Sequence, residues 1–487
     1  MNATPGTKVS TTDPAVRQRH RSARPVRPLL VLTTAVAIAV GSFGIRQLGL
    51  SGGIGRTSSS PPQTTSAGQA RGSGSPIAPP DGAFGQPGTA GAITDTTALT
   101  KAIKVWSANL TRDPADFVSA ENLALVYYTR GRLTGSADDY ALAQAAVDQA
   151  LNAYPDDPGG RTMKALLQYT LHDFAAALAG AQSIYAADPT ALQALATVGD
   201  SQLELGRYDA ASATFAELAK LQPGAAVTAR LARLAALRGD EQGAATLAGQ
   251  AAAEAKAEGS EGTSFAFYPY LEGYLAFQAG RLDDAVTADR AALAAWPGSH
   301  LAHEGLARAL AAQGRLDAAA QEYQAAIAIV PQPEYLAGLG DVYALQGKAG
   351  LAAEQYATVR AIAGLQARLY NRQLVLFDVN HGQNLAEALT LAENEVAVRQ
   401  DIYGWDADAW ALLANGRATD ADVAMGKALA LGTHDSLLDY HAGMIAAALG
   451  DTTRARSLLQ RALDRNPGFD PLQAARARAT LATLGGG

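Results

Sequence analysis

The sequence predicts an all-α solenoid, in which short helices pair into hairpins that stack side by side. Ten alanines recur at steps of 33 to 41 residues, most often 33 or 34. A glycine stands five residues before seven of them, six before Ala388 and twelve before Ala143, and a proline often follows twelve residues after the alanine. A period of about 34 residues is the length of one helix–turn–helix unit in a repeat protein. The ten alanines are Ala143, Ala177, Ala211, Ala244, Ala285, Ala319, Ala352, Ala388, Ala421 and Ala455.

The glycines mark the expected turn between the two helices of each unit, because glycine reaches the positive φ that ends a helix. His172 takes this place once. The prolines end the second helix and begin the next unit. The glycines are Gly131, Gly206, Gly239, Gly280, Gly314, Gly347, Gly382, Gly416 and Gly450.

Composition and charge exclude several classes of function. The chain has no cysteine, so disulfides and cysteine-based zinc sites are excluded. The net charge of −7 is uneven, since residues 1–28 carry +5 and the remainder −12. An acidic body argues against nucleic acid as the partner, because phosphates require a basic face.

Three segments precede the repeats. Residues 1–28 are polar and basic and predict a disordered tail. Residues 29–45, Leu29 to Ile45, are uncharged and predict a single transmembrane helix acting as a signal anchor. Residues 46–95 are rich in Gly, Ser, Pro and Thr and predict a flexible, low-complexity linker.

The orientation of this anchor follows from its flanks. The basic tail is expected to stay in the cytoplasm, which places the body of the chain outside it. Two other interpretations of Leu29 to Ile45 remain open: a signal peptide cleaved near Ala37-Ile38-Ala39, giving a secreted protein, or a buried soluble helix.

The repeat resembles the tetratricopeptide repeat (TPR) family. Residues 195–223 contain Leu195, Gly199, Gly206, Ala211 and Phe215 in the family's order, and residues 336–359 repeat the pattern. High alanine and glycine content, with Arg far above Lys, also resembles proteins of high-GC bacteria.

This resemblance implies a right-handed solenoid of about ten TPR hairpins over residues 96–487. An extra helix at 97–110 is expected before the first unit, and a capping helix at 471–484 after the last. The longest step contains KAEGSEGTS, so a loop near 252–264 could divide the array into two arms.

TPR proteins bind peptides or helices in a groove lined by their first helices, and the resemblance implies a protein or peptide partner of unknown identity here. Four aromatic residues at spacings of 3, 4 and 3 form one helical stripe. Their alternative role is packing against a neighbouring unit. The groove positions carried over from the family are Phe267, Tyr270, Tyr274, Phe277, Tyr403, Trp410, Tyr440 and Met444.

No catalytic or cofactor motif emerges, and no metal site is predicted. His300, His303 and Glu304 have the order H-x-x-H-E, which matches neither zinc-protease order. His434 and His441 lie in an ordinary repeat. The aspartates of DIYGWDADAW (401–410) are expected to help start a helix.

The sequence therefore predicts a membrane-tethered, non-enzymatic TPR scaffold that recruits another protein. Three alternatives stay open: an adaptor that faces the cytoplasm, a metal hydrolase with its site in the groove, and a carbohydrate binder that uses Tyr403, Trp405 and Trp410.

Overall fold

The computed structural model describes residues 96–365 and 367–485, which form 22 helices and no strand. Twenty of these helices alternate in type as ten hairpins. We call the first helix of each hairpin its A helix and the second its B helix. The predicted tail, membrane anchor and linker (1–28, 29–45 and 46–95) lie outside the described residues.

The A helices occupy the even places in the chain order. They are α2 (Phe117–Thr134), α4 (Pro158–Thr170), α6 (Leu192–Glu204), α8 (Ala225–Leu237), α10 (Gly262–Gln278), α12 (His300–Ala312), α14 (Pro333–Leu345), α16 (Ala367–Asn380), α18 (Ile402–Ala414) and α20 (Ser436–Ala448).

The B helices follow them, and one further helix lies at each end. The B helices are α3 (Ala137–Ala153), α5 (Phe174–Ala187), α7 (Tyr208–Leu221), α9 (Glu241–Ala257), α11 (Leu282–Ala295), α13 (Leu316–Ile329), α15 (Ala349–Leu365), α17 (Leu385–Val398), α19 (Ala418–Ala428) and α21 (Thr452–Arg465). The terminal helices are α1 (Thr96–Arg112) and α22 (Gln473–Leu484), which confirms both helices expected at the ends.

The repeating alanines hold each hairpin together. All ten lie on B helices, and none is more than 3% exposed. In several units the A helix has a glycine at the position that faces the B helix. A Cβ added to Gly443 of α20 would lie 2.7 Å from Leu459 Cγ of α21, and one added to Gly273 of α10 would lie 2.8 Å from Asp289 Oδ1 of α11. Small side chains at both positions therefore set how closely the two helices approach.

The turns between A and B helices use the left-handed backbone conformation, as predicted. Gly206 has φ of +74°, and Gly280 has +72°. His172 adopts the same conformation with φ of +63°. The prediction was wrong for the first unit, because α2 runs through Gly131 and ends only at Thr134. Gly135, with φ of +67°, makes the turn there.

Aspartates cap many of the helices. Asp401 accepts hydrogen bonds from the backbone N–H groups of Tyr403 and Gly404 at the start of α18, and Asp435 does the same for Leu437 and Leu438 at the start of α20. These acceptors satisfy N–H groups that have no partner inside the helix. Asp401, the first aspartate of DIYGWDADAW, therefore caps the start of a helix, as the sequence predicted.

The possible break near 252–264 is absent. Helix α9 continues to Ala257, and α10 begins at Gly262 after a four-residue turn. One apolar cluster extends across this turn from Ala248 and Ala255 to Phe267 and Leu301. The long step in the repeat is accommodated by two longer helices, each of 17 residues, rather than by a flexible joint.

The hairpins form a superhelix whose successive turns touch each other. Glu204 and Arg399, which are 195 residues apart, are paired, and Ile402 N donates to Tyr208 Oη at 2.9 Å. At about 34 residues a unit, this separation is close to six units. We call these contacts the seam: the turns at Gly206, Gly239 and Gly280 meet the loops at 399–401, 432–435 and 465–468.

Within residues 96–365 and 367–485, none of the helices combines the length and apolar character that crossing a membrane requires.

The close approach at the hairpin contact can be tested with two glycine-to-alanine substitutions. Gly443→Ala places a methyl group 2.7 Å from Leu459 Cγ and 3.2 Å from its backbone nitrogen. We expect a loss of about 1–3 kcal/mol from overpacking, measured by urea unfolding of the full chain. In the control, Gly249→Ala in α9 meets no atom within 4 Å, and we expect a gain of about 0.5–1 kcal/mol from helix propensity. Equal effects of the two substitutions would contradict the packing argument.

Candidate functional site

The predicted aromatic stripe lies on α10, and its four side chains are buried. Phe267, Tyr270, Tyr274 and Phe277 are between 3% and 7% exposed. The first three pack in one cluster with alanines of α8 and α9 and with Leu301 of α12. Phe277 packs in the next cluster along the array, with residues of α11 to α14. The stripe therefore packs in the core between units. This is the alternative role that the sequence left open, in place of an exposed binding surface.

A buried arginine links the stripe to two carboxyl groups. Arg308 of α12 lies 4.7 Å above the ring centre of Phe277 and pairs with Glu304 at 2.8 Å. Asp289 of α11 lies between Gly273 and Gly305, where only glycine leaves room for its carboxyl group. Burial raises the pKa of Asp289 well above its ordinary value, Arg308 opposes this shift, and Glu304 adds to it. This carboxyl group is accordingly neutral at a pH where exposed aspartates are charged.

A cavity of about 50 Å³ lies beside the stripe, between one superhelical turn and the next. Tyr270, Tyr274 and Gln278 of α10 line one side of it. Tyr403 and Asp435 line the opposite side, and Tyr403 Oη donates to Asp435 Oδ2 at 3.3 Å. The inner surface of the superhelix is thus almost filled here, with room for only a few water molecules.

The structure brings together three of the eight predicted groove residues around this cavity, namely Tyr270, Tyr274 and Tyr403. The other residues of the last two units pack elsewhere, Trp410 towards α16 of the preceding unit and Tyr440 and Met444 towards the C-terminal helix α22. Trp410 Nε1 donates to Asn380 Oδ1 at 2.9 Å, Tyr440 Oη donates to Gln473 Oε1 at 2.7 Å, and Met444 Sδ lies 3.5 Å from Thr480 Oγ1.

A cluster of six charged groups lies where the seam approaches the cavity. Arg233 of α8 pairs with Glu204 at 2.7 Å, and Arg399 pairs with the other oxygen of the same carboxylate. Arg399 also pairs with Asp401 at 2.6 Å. The cluster, Glu204, Arg233, Arg372, Glu395, Arg399 and Asp401, contains three positive and three negative groups, and its members are largely buried.

The arginines keep the two central carboxylates ionised. Burial by itself favours the neutral acid, but Arg233 and Arg399 outweigh it and lower the pKa of Glu204. Burial likewise opposes the charge of Asp401, and Arg372 and Arg399 outweigh it and lower the pKa of that group. Because the cluster joins residues about 195 positions apart, its ionisation is coupled to closure of the seam.

The histidines considered from the sequence have separate partners. His300 Nδ1 lies 2.8 Å from Tyr335 Oη, whereas His303 Nδ1 lies 2.6 Å from Glu322 Oε2. His441 is fully buried between Asp406, at 2.8 Å, and the ring of Trp410, with ring centres 4.1 Å apart. His434 lies on the seam, 3.0 Å from Glu241. No group of three or more His, Asp or Glu suited to a metal occurs in the part of the chain that the structure describes.

Sequence reasoning missed the charged cluster. Its signal was present in Glu204 and Arg233, two charged residues on A helices at positions that face the interior. The sequence offered no partner within one unit for either of them, since Arg233 pairs with Glu204 of the preceding unit and Glu204 pairs also with Arg399, which is 195 residues away.

Because the carboxylates of the cluster are ionised, we expect the free energy of unfolding of the closed superhelix to fall in acid. Groups whose pKa is lowered by folding stabilise the folded state above their ordinary pKa, and this contribution is lost as the pH falls through the lowered pKa. We expect Glu204→Gln to cost about 3 kcal/mol at pH 7, because it leaves the buried Arg233 without its carboxylate and removes one of the carboxylates that pair with Arg399. The difference from the unaltered chain should shrink below about pH 4, as measured by urea unfolding at several pH values.

A control for this substitution lies beside the same turn. Asp209→Asn removes the partner of Arg238, but Asp209 is fully exposed, so we expect no measurable loss. A Glu204→Gln effect that does not change between pH 7 and pH 3 would show that the carboxylate charge is not what stabilises the seam.

Comparisons with known proteins agree with the repeat. Residues 199–260 and 270–333 match the family model described as Tetratricopeptide repeat. No curated protein matches the chain.

Solved structures that resemble the chain include the Cut9–Hcn1 hetero-tetramer of the APC/C, with 14% identity, 80% of this chain and 93% of that chain covered, and a TM-score of 0.35. Yeast Tom70 gives 15% identity, coverage of 80% and 93%, and a TM-score of 0.33. The human IFIT1 dimer with PPP-AAAA gives 16% identity, coverage of 76% and 87%, and a TM-score of 0.41.

The match to the tetratricopeptide repeat family model covers residues 199–260 and 270–333, and the same helical hairpin recurs along the rest of the described array.

Proposed function

We propose that this protein is a membrane-tethered scaffold that recruits a polypeptide partner and catalyses no reaction itself. Repeat arrays of this kind offer an extended surface made from many units, and such surfaces suit protein partners. The proposal depends on one observation: Tyr270, Tyr274 and Tyr403 together line a cavity on the inner side of the superhelix. Aromatic side chains in such a position are favoured anchors for a bound segment.

The proposed tether consists of the apolar segment Leu29 to Ile45 and the polar residues 46–95 that follow it. Its support is that Leu29 to Ile45 is a run of 17 uncharged residues with Arg27 before it and Arg46 after it. The basic residues before the segment favour an orientation with the repeats outside the cytoplasm. A linker of about 50 flexible residues spans roughly 40 Å, which would hold the repeats away from the membrane surface.

Partner binding can be tested by photo-crosslinking in intact cells. A photoreactive amino acid at Gln278, which lines the cavity and donates to Tyr274 Oη at 2.8 Å, should give one dominant adduct that mass spectrometry can identify. The same amino acid at Val423, which is 63% exposed on B helix α19, is the control and should not give that adduct. The same adducts from both positions, or none from Gln278, would contradict binding at the inner surface.

The tether predicts a defined location. Deletion of residues 29–45 should move the protein from the membrane fraction to the soluble fraction. Protease added to intact cells should cleave the repeats of the unaltered chain if they lie outside the cytoplasm. Protection in intact cells with cleavage in lysates would support the cytoplasm-facing adaptor instead. A shortened chain in the medium would support secretion after signal cleavage.

A further inference from the structure

The seam repeats one hydrogen-bonding arrangement in three successive units. Arg399 Nε donates to Glu204 O at 3.1 Å, at the end of α6. Thr433 Oγ1 donates to Leu237 O at the end of α8. Asn466 Nδ2 donates to Phe277 O near the end of α10, at 2.8 Å. The last carbonyls of a helix have no partner inside it, so the later loops supply donors to three A helices in turn.

Glycine makes this approach sterically possible. A Cβ added to Gly206, Gly239 or Gly280 would collide with the backbone carbonyl of Gln400, Gly432 or Arg465, respectively. Five glycines in the equivalent turns of later units have the same positive φ, yet an added Cβ would meet no atom within 4 Å. These are Gly314, Gly347, Gly382, Gly416 and Gly450. Positive φ accounts for the glycine in each of these eight turns, whereas an added Cβ would collide with the backbone of another loop only in the three turns at the seam.

The seam differs from the contacts between neighbouring hairpins in chemistry and in place. Neighbouring hairpins join through large apolar clusters. The seam joins through charges and hydrogen bonds, including Glu241 with His434 at 3.0 Å and with Arg465 at 3.3 Å, and through a smaller apolar cluster that contains Ile402 and Leu438 together with Leu203, Phe215 and Leu237. In a repeat array the contacts between neighbours are enough to hold each unit. The seam can therefore separate while every hairpin remains folded.

We propose that the seam is a latch that covers the inner aromatic surface. While it is closed, the loop at 433–435 lies against the cavity formed by Tyr270 and Tyr274. When it opens, the two superhelical turns separate and those side chains become available to a polypeptide segment. This inference deepens the proposed function and rests on it for the identity of the binding surface, but the opening itself can be measured without a partner.

The first experiment locks the latch with a chemical crosslink. The chain has no cysteine of its own, so Glu241→Cys with His434→Cys gives one reactive pair across the seam. Joining the pair with a short bis-maleimide in the full chain should slow hydrogen exchange in α10 and α18 by about tenfold or more, because opening limits exchange there.

A crosslink away from the seam is the control. Asp422 and Arg454 lie 2.7 Å apart on neighbouring units and are exposed to a similar degree as Glu241 and His434. Joining cysteines at these two positions should leave exchange in α10 unchanged. Equal slowing by both crosslinks, or slowing by neither, would overturn the latch.

The second experiment opens the latch by substitution. Gly280→Ala and Gly347→Ala have nearly equal φ values, +72° and +74°, so both introduce the same backbone strain. Only the first also meets the backbone of Arg465. Gly280→Ala should increase the radius of gyration in solution scattering and speed exchange beyond its own hairpin, in α18 and α20 across the seam, whereas Gly347→Ala should speed exchange only in its own hairpin. The same response from both substitutions would contradict a seam that holds the turns together.

The photo-crosslinking assay at Gln278 separates the two proposals. Loss of the partner adduct after the seam is locked, with recovery when a reducible crosslinker is cleaved, would support the latch. An adduct that persists in the locked protein would overturn the latch and leave the scaffold function intact. No adduct in either form would refute partner binding at this surface, and hydrogen exchange would still decide whether the seam opens.

Discussion

The whole array depends on how closely two helices can approach at one level of each hairpin. Ten buried alanines lie on the B helices, and glycines of the A helices approach the same helices closely, Gly273 at Ala285 and Asp289 and Gly443 at Leu459. A larger side chain at either place would push the helices apart and change the angle at which the next hairpin stacks. Because every unit adds the same small rotation, the path of the superhelix follows from this one distance. The seam exists because that path returns to within contact after about six units.

Much of the fold could be predicted because the repeat is a local signal. The alanines and turn glycines lie within one unit, and their spacing reports the contacts of that unit directly. The prediction was wrong where an insertion changed the register. In the first unit, α2 continues through Gly131, and Gly135 replaces it as the turn residue. At the 41-residue step the extra residues lengthen α9 and α10, since alanine-rich and aromatic segments can extend a helix and bury its surface.

The inner surface could be predicted only in part, for a physical reason. Spacing on α10 places Phe267, Tyr270, Tyr274 and Phe277 on one side of a helix, but it does not tell which element faces that side. Trp410 and Tyr440 occupy matching repeat positions, yet Trp410 donates to Asn380 of α16 in the preceding unit, and Tyr440 donates to Gln473 of α22, where the array ends. The pairing of Glu204 with Arg399 depends on the pitch of the superhelix, which no residue within a single unit encodes.

The chemistry of the two kinds of contact implies an order of stability. Apolar helices that pack closely lose contact energy steeply when they separate, and water offers nothing in return. Charged groups in a seam regain their hydration when they separate, and this offsets much of the lost attraction. Arg233, Arg399 and Glu204 are therefore a contact that can be broken at modest cost, although removing one of them from the closed state is costly. The apolar cluster that crosses the seam is also smaller than the clusters between neighbouring hairpins, so the superhelix should loosen along its seam before any hairpin unfolds. Its inner tyrosines would then become exposed through a movement of intact units, without the loss of helical structure that exposing a compact core requires.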